Sequence, residues 1–288
     1  MLRWQVGDVT IQRVVELEVT FGYSEQQPFI REATPAAIAG IDWLRPHFAT
    51  PEGDLKLSIH ALLVDAPGLK LVVDTCIGND RPRGVTGNRP LDLPFLERFR
   101  EAGWQPEDVD AVVCTHLHVD HVGWNTQLVN GRWVPTFPNA RYLLGHAEHA
   151  HWQADPSTEN QQILTDSVKP IFDAGLVDLV DMDHKLSDEV RLLPTPGHTP
   201  GHVSVVVESG DHRAIITGDM IHHPCQLAHP EWSPEFDVDK HIARLTRQAF
   251  LEQVAGTETL LIGTHFPTPT AGRIARADTG YRFVPVAG

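Results

Sequence analysis

At 288 residues, with 41% hydrophobic and 21% charged side chains and no low-complexity tract, the chain can bury a sizeable core and is too mixed in composition to read as disordered. Its 38 acidic against 23 basic residues give a net charge of −15, which argues against a nucleic-acid partner, since no basic stripe offsets it. The opening MLRWQVGDVT lacks the apolar core of a secretory signal and no apolar run approaches bilayer-spanning length, so no membrane partner and a cytoplasmic location are expected.

From residue 57, LSIHALLVDA alternates, Pro67 and Gly68 supply a turn, and LKLVVDT resumes as an apolar run: two strands of a hairpin. Phe95, Leu96, Phe99 and Ala102 recur at helical spacing behind Pro94 and stop at Gly103, marking an amphipathic helix, and DAVVCTH follows as a buried strand. The second half predicts strands at VRLLPTPG, HVSVVVES and HRAIITGD. A helix then carries Val238, Ile242, Leu245 and Ala249 on one face and ends near Gly256, before a last strong strand at TLLIGTH.

Two stretches, 21–56 and 145–187, escape this pattern and read as excursions over the face of a single domain spanning 1–288. Sheets in both halves with helices between them predict a layered α/β or α+β architecture, two sheets face to face with helices outside. Cys76, Cys114 and Cys225 are too scattered for a disulfide framework or a zinc knuckle and read as small buried apolar residues.

Five apolar runs end in a residue that can bind or support a metal: KLVV at Asp74, AVVCT at His116, RLLPTPG at His198, AIITG at Asp219 and LLIGT at His265. Strands running the same way would bring all five to one rim. Within THLHVDH, His116 and His118 stand two residues apart, so an extended backbone points both at one ion, whereas a helix would turn them apart by about 200°. Asp120 and His121 follow the turn and can reach a second ion, because four ligands in six residues exceed what one tetrahedral ion takes from a single loop. His47, His60, His146, His149, His151, His184, His212 and His241 read as ordinary structural or surface histidines.

With TPGHTPGH at 195–202, ITGD at 216–219 and GTH at 263–265 following THLHVDH in order, the chain resembles the metallo-β-lactamase superfamily over roughly residues 57–270. The resemblance implies a four-layer αββα sandwich of two mixed sheets with outer helices and the site at one rim. It implies His116, His118 and His198 as ligands of a first metal, Asp120, His121 and His265 as ligands of a second, and Asp219 as the bridge. His202 and Asp74 would support the ligands from behind. The cofactors implied are two divalent ions, zinc first, with manganese, cobalt or iron also suited to nitrogen and carboxylate donors. The reaction implied is hydrolysis by a hydroxide the two ions share.

Only 23 residues follow His265, which leaves no room for the helical domain with which glyoxalase II enzymes hold glutathione. The acidic balance disfavours the superfamily's nucleases, and a bridging aspartate disfavours the zinc β-lactamases. What remains resembles the compact lactonases that open N-acyl homoserine lactones, a small-molecule substrate class, and their ester- and organophosphate-hydrolysing relatives. Where several homoserine lactonases carry a tyrosine three residues after the bridging aspartate, this chain has His222, a form closer to the esterase and organophosphate-hydrolase branch.

In this reading His222 helps hold the oxyanion and Asp120 passes a proton to the leaving alkoxide, so Asp120, Asp219 and His222 are the catalytic candidates. Trp124 and Phe266, each adjacent to a ligand-bearing motif, are expected at the substrate, with Trp43, Phe48 and Phe137 as further aromatic candidates. The 21–56 excursion would supply an apolar wall and a homodimer contact. The rival readings are a glyoxalase II-like thioesterase, a mononuclear iron persulfide dioxygenase and a metal-stabilised binding protein.

Overall fold

Strand alternation decides the layers in the computed structural model, which describes residues 1–288. A first sheet opens with β1 (Arg3–Val6) and β2 (Val9–Phe21) and continues through the expected hairpin, β3 (Leu55–Ala66) and β4 (Leu69–Val73), all antiparallel. Next β5 (Ala111–Val113) joins parallel to β4. A small hairpin of β6 (Thr126–Val129) and β7 (Arg132–Pro135) stands apart, and β8 (Arg141–Gly145) and β9 (Val177–Val180) complete the first sheet in parallel. The second sheet follows chain order: β10 (Val190–Pro194), β11 (Val203–Ser209), β12 (His212–Ile216), β13 (Leu260–Ile262), β14 (Ala271–Arg276) and β15 (Tyr281–Pro285). Its pairings are antiparallel except between β12 and β13.

Successive side chains on a strand face opposite sides, so neighbouring residues enter different cores. Leu62, Val64, Leu71, Val73 and Val113 meet Val190, Val205, Ile216 and Ile262 between the sheets. Leu63, Val72 and Val112 face outward beneath Phe95 and Phe99 of α2 (Phe95–Glu101). They share that core with Trp152 of α3 (His146–Ala154) and Ile171 of a later helix. On the far side, Val206, Ile215 and Leu261 pack under Phe250, Leu251 and Val254. Each buried apolar side chain contributes about 1.5–3 kcal/mol, and the three cores define the αββα sandwich the sequence predicts.

The excursions are more structured than the sequence suggests. Residues 21–56 hold α1 (Pro35–Ala39), capped by Thr34, and send Ile30, Ile38, Leu44 and Phe48 into the second sheet's outer core. They are part of the packing, so exchanging 25–50 for a linker would open that core. Residues 145–187 hold α3, α4 (Thr158–Ile163), a π-helical turn at Leu164–Val168, α5 (Lys169–Asp173) and the edge strand β9.

After the short α6 (Cys225–Ala228) comes α7 (Lys240–Val254), where the predicted face is turned around. Val238, Ile242 and Leu245 are 51%, 37% and 50% exposed, while Ala243, Arg247, Phe250, Leu251 and Val254 are buried. A charged residue sits on the buried side because its guanidinium donates to the carbonyls of Met220, Pro230 and Trp232 and to Ser233 Oγ. The inward placement of Arg247 accompanies the reversed face.

Candidate metal centre

The expected rim forms because β4 and β5 run parallel in one sheet, and β10, β12 and β13 run in a common direction in the other. The chain leaves these strands at Asp74, His116, His198, Asp219 and His265, at one end of the gap between the sheets. The ligand-type atoms of His116, His118, His198 and Asp219 lie within 4.8 Å of one another, as do those of Asp120, His121 and His265. Asp219 Oδ2 is 3.6, 3.5 and 3.3 Å from the Nε2 atoms of His116, His198 and His121, and its Oδ1 is 3.0 Å from His265 Nε2. One carboxylate therefore faces both groups.

The outer nitrogens of His116, His121, His198 and His265 are committed elsewhere, which fixes their tautomers. Asp74 Oδ2 accepts from His121 Nδ1 at 2.9 Å, and it accepts the Thr115 hydroxyl, which in turn accepts from His116 Nδ1 at 3.1 Å. His265 Nδ1 donates to the Ser58 carbonyl, and His198 Nδ1 lies 2.8 Å from Asp237 Oδ1. The inward nitrogens are left as lone pairs: His116 Nε2, His198 Nε2 and His118 Nδ1 converge at 2.7–3.1 Å. Buried His121 Nε2 and Asp219 Oδ1 make no hydrogen bond. Converging acceptors without donors are costly to bury, and divalent cations satisfy them, so these residues fit a pair of ions. The donor set, imidazole and carboxylate without thiolate, suits zinc among several metals.

Electrostatics prepare that state at three of the rings, while the carboxylates of Asp219 and Asp120 outweigh burial at His121 and His265 and raise both. Burial pushes the pKa values of His116, His118 and His198 well below the histidine range, leaving neutral imidazoles. Burial opposes ionisation of Asp219, yet His121, His265, His222 and His116 overcome it and hold its carboxyl well below the usual range. The backbone helps with position: Asp74 adopts a left-handed φ of 58°, a strained conformation for a side-chain-bearing residue, of the kind that clusters at functional sites. Gly218, at φ 53°, leaves room for His202, whose Nε2 accepts from Asp219 N at 2.8 Å. A Cβ at Gly218 would fall 2.5 Å from that nitrogen. His202 thus sits behind Asp219, where the sequence puts it.

Above the centre lies a cavity of about 370 Å³, reached by His118, Asp120, Asp219, His222 and His265 and walled chiefly by apolar side chains. A register shift between Val15 and Leu17 turns Glu16 inward and sets Leu17, Val19 and Phe21 on the cavity wall, opposite Ile77 and Ile163. His222 sits 3.1 Å from Asp219 Oδ2 and stacks parallel to His265, yet neither of its ring nitrogens makes a hydrogen bond.

Trp124 and Phe266 do not line this cavity. Trp124 stacks on Phe95 in the outer core of the first sheet and donates to Glu16 Oε1, while Phe266 turns inward among Phe48 and Phe283. Adjacency in sequence misleads here because neighbouring side chains leave the loop in opposite directions. Phe48 and Phe137 are core residues and Trp43 packs beside Phe48's core. The aromatic residues that do line the cavity are Phe21, Phe29 and Phe236.

The sequence also passes over Asp237, Glu16 and Glu148. Glu148 accepts from Leu117 N, Gly201 N, the Thr199 hydroxyl and Trp152 Nε1, clamping together the loops that carry His118 and His198. Nothing local marks these acids, since their partners lie far along the chain.

Fold and site together define a metallo-β-lactamase-type protein, and the family model of the metallo-beta-lactamase superfamily matches residues 55–280; the chain belongs to that superfamily. Among curated proteins it is 27% identical over 172 residues to an N-acyl homoserine lactonase of Bacillus cereus, covering 56% of this chain and 62% of the relative. It is 28% identical over 111 residues to an N-acyl homoserine lactonase of a Bacillus species, covering 38% of each. The chain thus spans less than two thirds of those relatives' lengths. Among solved structures, the hydrolase AbOPH of the β-lactamase superfamily superposes with a TM-score of 0.80 at 23% identity, covering 100% of this chain and 97% of that one. AidC, described as a dizinc quorum-quenching lactonase in complex with a product, superposes with a TM-score of 0.79 at 23% identity, covering 99% and 97%. At those identities the likeness concerns the fold.

Proposed function

We propose that the protein is a dinuclear metal-dependent hydrolase that opens a small, neutral ester-like substrate, first a lactone with an apolar substituent such as an N-acyl homoserine lactone. The observation that carries this reading is the pair of converging donor groups, sharing Asp219, at the floor of a mainly apolar cavity. The first group would be His116, His118 and His198, the second Asp120, His121 and His265. Two bound ions would acidify a water and polarise the carbonyl.

The chain's own residues do the rest. Leu17, Val19, Phe21 and Ile163 hold an acyl chain and exclude water. His222, with no hydrogen-bond partner, donates to the carbonyl or leaving oxygen. Asp120, whose side chain is 22% exposed and reaches the cavity, would take the proton the attacking water releases and hand it to the leaving alkoxide. Both sheets contribute, so residues 1–288 act as one domain in this reading.

Zinc as the native metal draws support from the dizinc relative. A cytoplasmic location agrees with three free cysteines, all buried, and a homodimer would cover the exposed Val238, Ile242 and Leu245. No helix is long and apolar enough to cross a membrane.

A second reading, an aryl ester or organophosphate hydrolase, is favoured by the edge-on arrangement of Phe29, Phe236 and His222, whose ring centroids lie 5.1–5.9 Å apart. A hydrolysis panel on the metal-loaded protein separates the two. It should contain acyl homoserine lactones, simple lactones, aryl esters, a phosphotriester, a β-lactam, a glutathione thioester and a glutathione persulfide. Turnover of lactones with two ions per chain is the expected result. A preference for the phosphotriester or aryl ester selects the second reading, and persulfide oxidation with one iron overturns both. Asp219→Ala should abolish turnover and reduce the ion count.

A further inference from the structure

Three rings of the centre are anchored by the body of the sheets: His116 and His121 through Asp74, and His265 through the Ser58 carbonyl. His198 is different. Its anchor, Asp237, lies in the segment between α6 and α7, which is held against the ligand's turn by two backbone hydrogen bonds, Val238 N to His198 O and Asp239 N to Gly197 O, both 2.9 Å. Gly197 makes this approach feasible, since a Cβ there would lie 2.2 Å from Ala243 N of α7. Both partners of the His198–Asp237 pair have side chains 1% exposed.

A carboxylate buried against a neutral imidazole is costly even with Arg247 and Ser233 nearby. The surroundings leave it further exposed to that cost, because Asp237 Oδ2 has no hydrogen-bond partner. Both nitrogens of His222 are likewise unpartnered, and ligand-type atoms of Asp237, His198 and His222 all lie within 4.8 Å of one another. One residue earlier, Phe236 forms part of the cavity wall and packs edge-on against His198 and His222 at 5.9 and 5.2 Å. A single short segment therefore touches a ligand ring, the ring facing the substrate, and the substrate wall.

We infer that Asp237 is a positioning residue serving both rings. Its Oδ1 takes the Nδ1 proton of His198, which fixes Nε2 as the inward lone pair and makes that nitrogen a stronger donor to the ion held by His116, His118 and His198. The same carboxylate lies within 4.8 Å of a ring nitrogen of His222 and biases that ring toward the cavity. The inference rests on the dinuclear reading and goes beyond it by assigning one carboxylate to one of the two ions.

Asp237→Asn keeps the shape and an acceptor for the His198 proton but loses the charge, while Asp237→Ala loses both. The test is zinc titration of chelator-stripped wild type, Asn and Ala proteins against a chromophoric competitor. The thermal midpoint of each stripped protein is measured alongside. The wild type takes up two ions; uptake of none would overturn the dinuclear reading itself.

In the Ala variant one ion should weaken by about 10–100-fold, the range for loss of a partner behind a ligand, with the other within about threefold. The Asn variant should show the same selectivity at smaller amplitude. On the substrate the panel identifies, kcat should fall more than KM rises. Affinities of both ions unchanged in the two variants would overturn the inference. Equal weakening of both ions with a lowered midpoint of the stripped protein would do so too, by making Asp237 merely structural. If the Ala variant does not fold, the Asn variant alone decides between these outcomes.

Discussion

His222 is the residue on which substrate chemistry turns. It is buried, lines the cavity and makes no hydrogen bond through its ring, so its donor is free for a ligand. His222→Phe should lower kcat/KM by about 10²-fold, the scale of losing one oxyanion donor, with two ions per chain retained by elemental analysis. Loss of an ion would instead make it a ligand. Its neighbour His223 serves the fold instead. There Nδ1 accepts from Cys225 N while Nε2 donates to the Phe48 carbonyl, an arrangement only the neutral ring can make. Burial lowers its pKa from the ordinary value of 6.5 to about 4. The unfolded chain therefore binds more protons between those values. The stability this ring contributes is complete above pH 6.5 and drains away as pH falls toward 4, by about 3 kcal/mol at most. His223→Gln should flatten the fall in thermal midpoint over that window, and an unchanged slope would count against the assignment. The candidate donor cluster was legible in the sequence because four of its members fall within six residues. Asp237 was not, because a lone acid 39 positions from its partner leaves no local trace.

At the scale of elements, hydrophobic periodicity located β3, β4, β5 and β10–β13, passed over the other strands, and misjudged α7. Its exposed apolar residues and its buried arginine both run against the usual pattern, and only the carbonyls of Met220, Pro230 and Trp232 explain the second. The misreading has a measurable converse. Arg247→Met should destabilise the fold by about 3 kcal/mol, since three buried carbonyls lose their donor, whereas Ala249→Lys on the exposed face should change stability by no more than about 0.5 kcal/mol. Denaturant midpoints of the two variants test the orientation directly, and the reverse ranking would refute it. The register shift at Glu16 was equally hidden: alternation shows a strand, and does not show where one extra residue changes which side chains face the cavity.

Over the whole molecule, the two sheets each supply part of the candidate centre. The layer order was readable from chain pattern because each sheet's strands are apolar on both faces, as a four-layer arrangement requires. The identity of the cavity wall was not, because Phe21, Phe29 and Phe236 meet from distant places. Ions shared across the gap should act as a brace. Chelation should lower the thermal midpoint by several degrees, since a ligand at 100 times its Kd adds about 2.7 kcal/mol, and added zinc should restore it. An identical midpoint with and without chelator would show that the sheets hold together unaided. The meeting of His116, His121, Asp219 and His265 at one rim has one more consequence, in the order of synthesis. The loop from His116 to His121 leaves the ribosome early, whereas Asp219 and His265 follow only after most of the second sheet has been made. A nascent chain thus presents an open, half-built site for much of its translation, and the second half of the chain is what closes it.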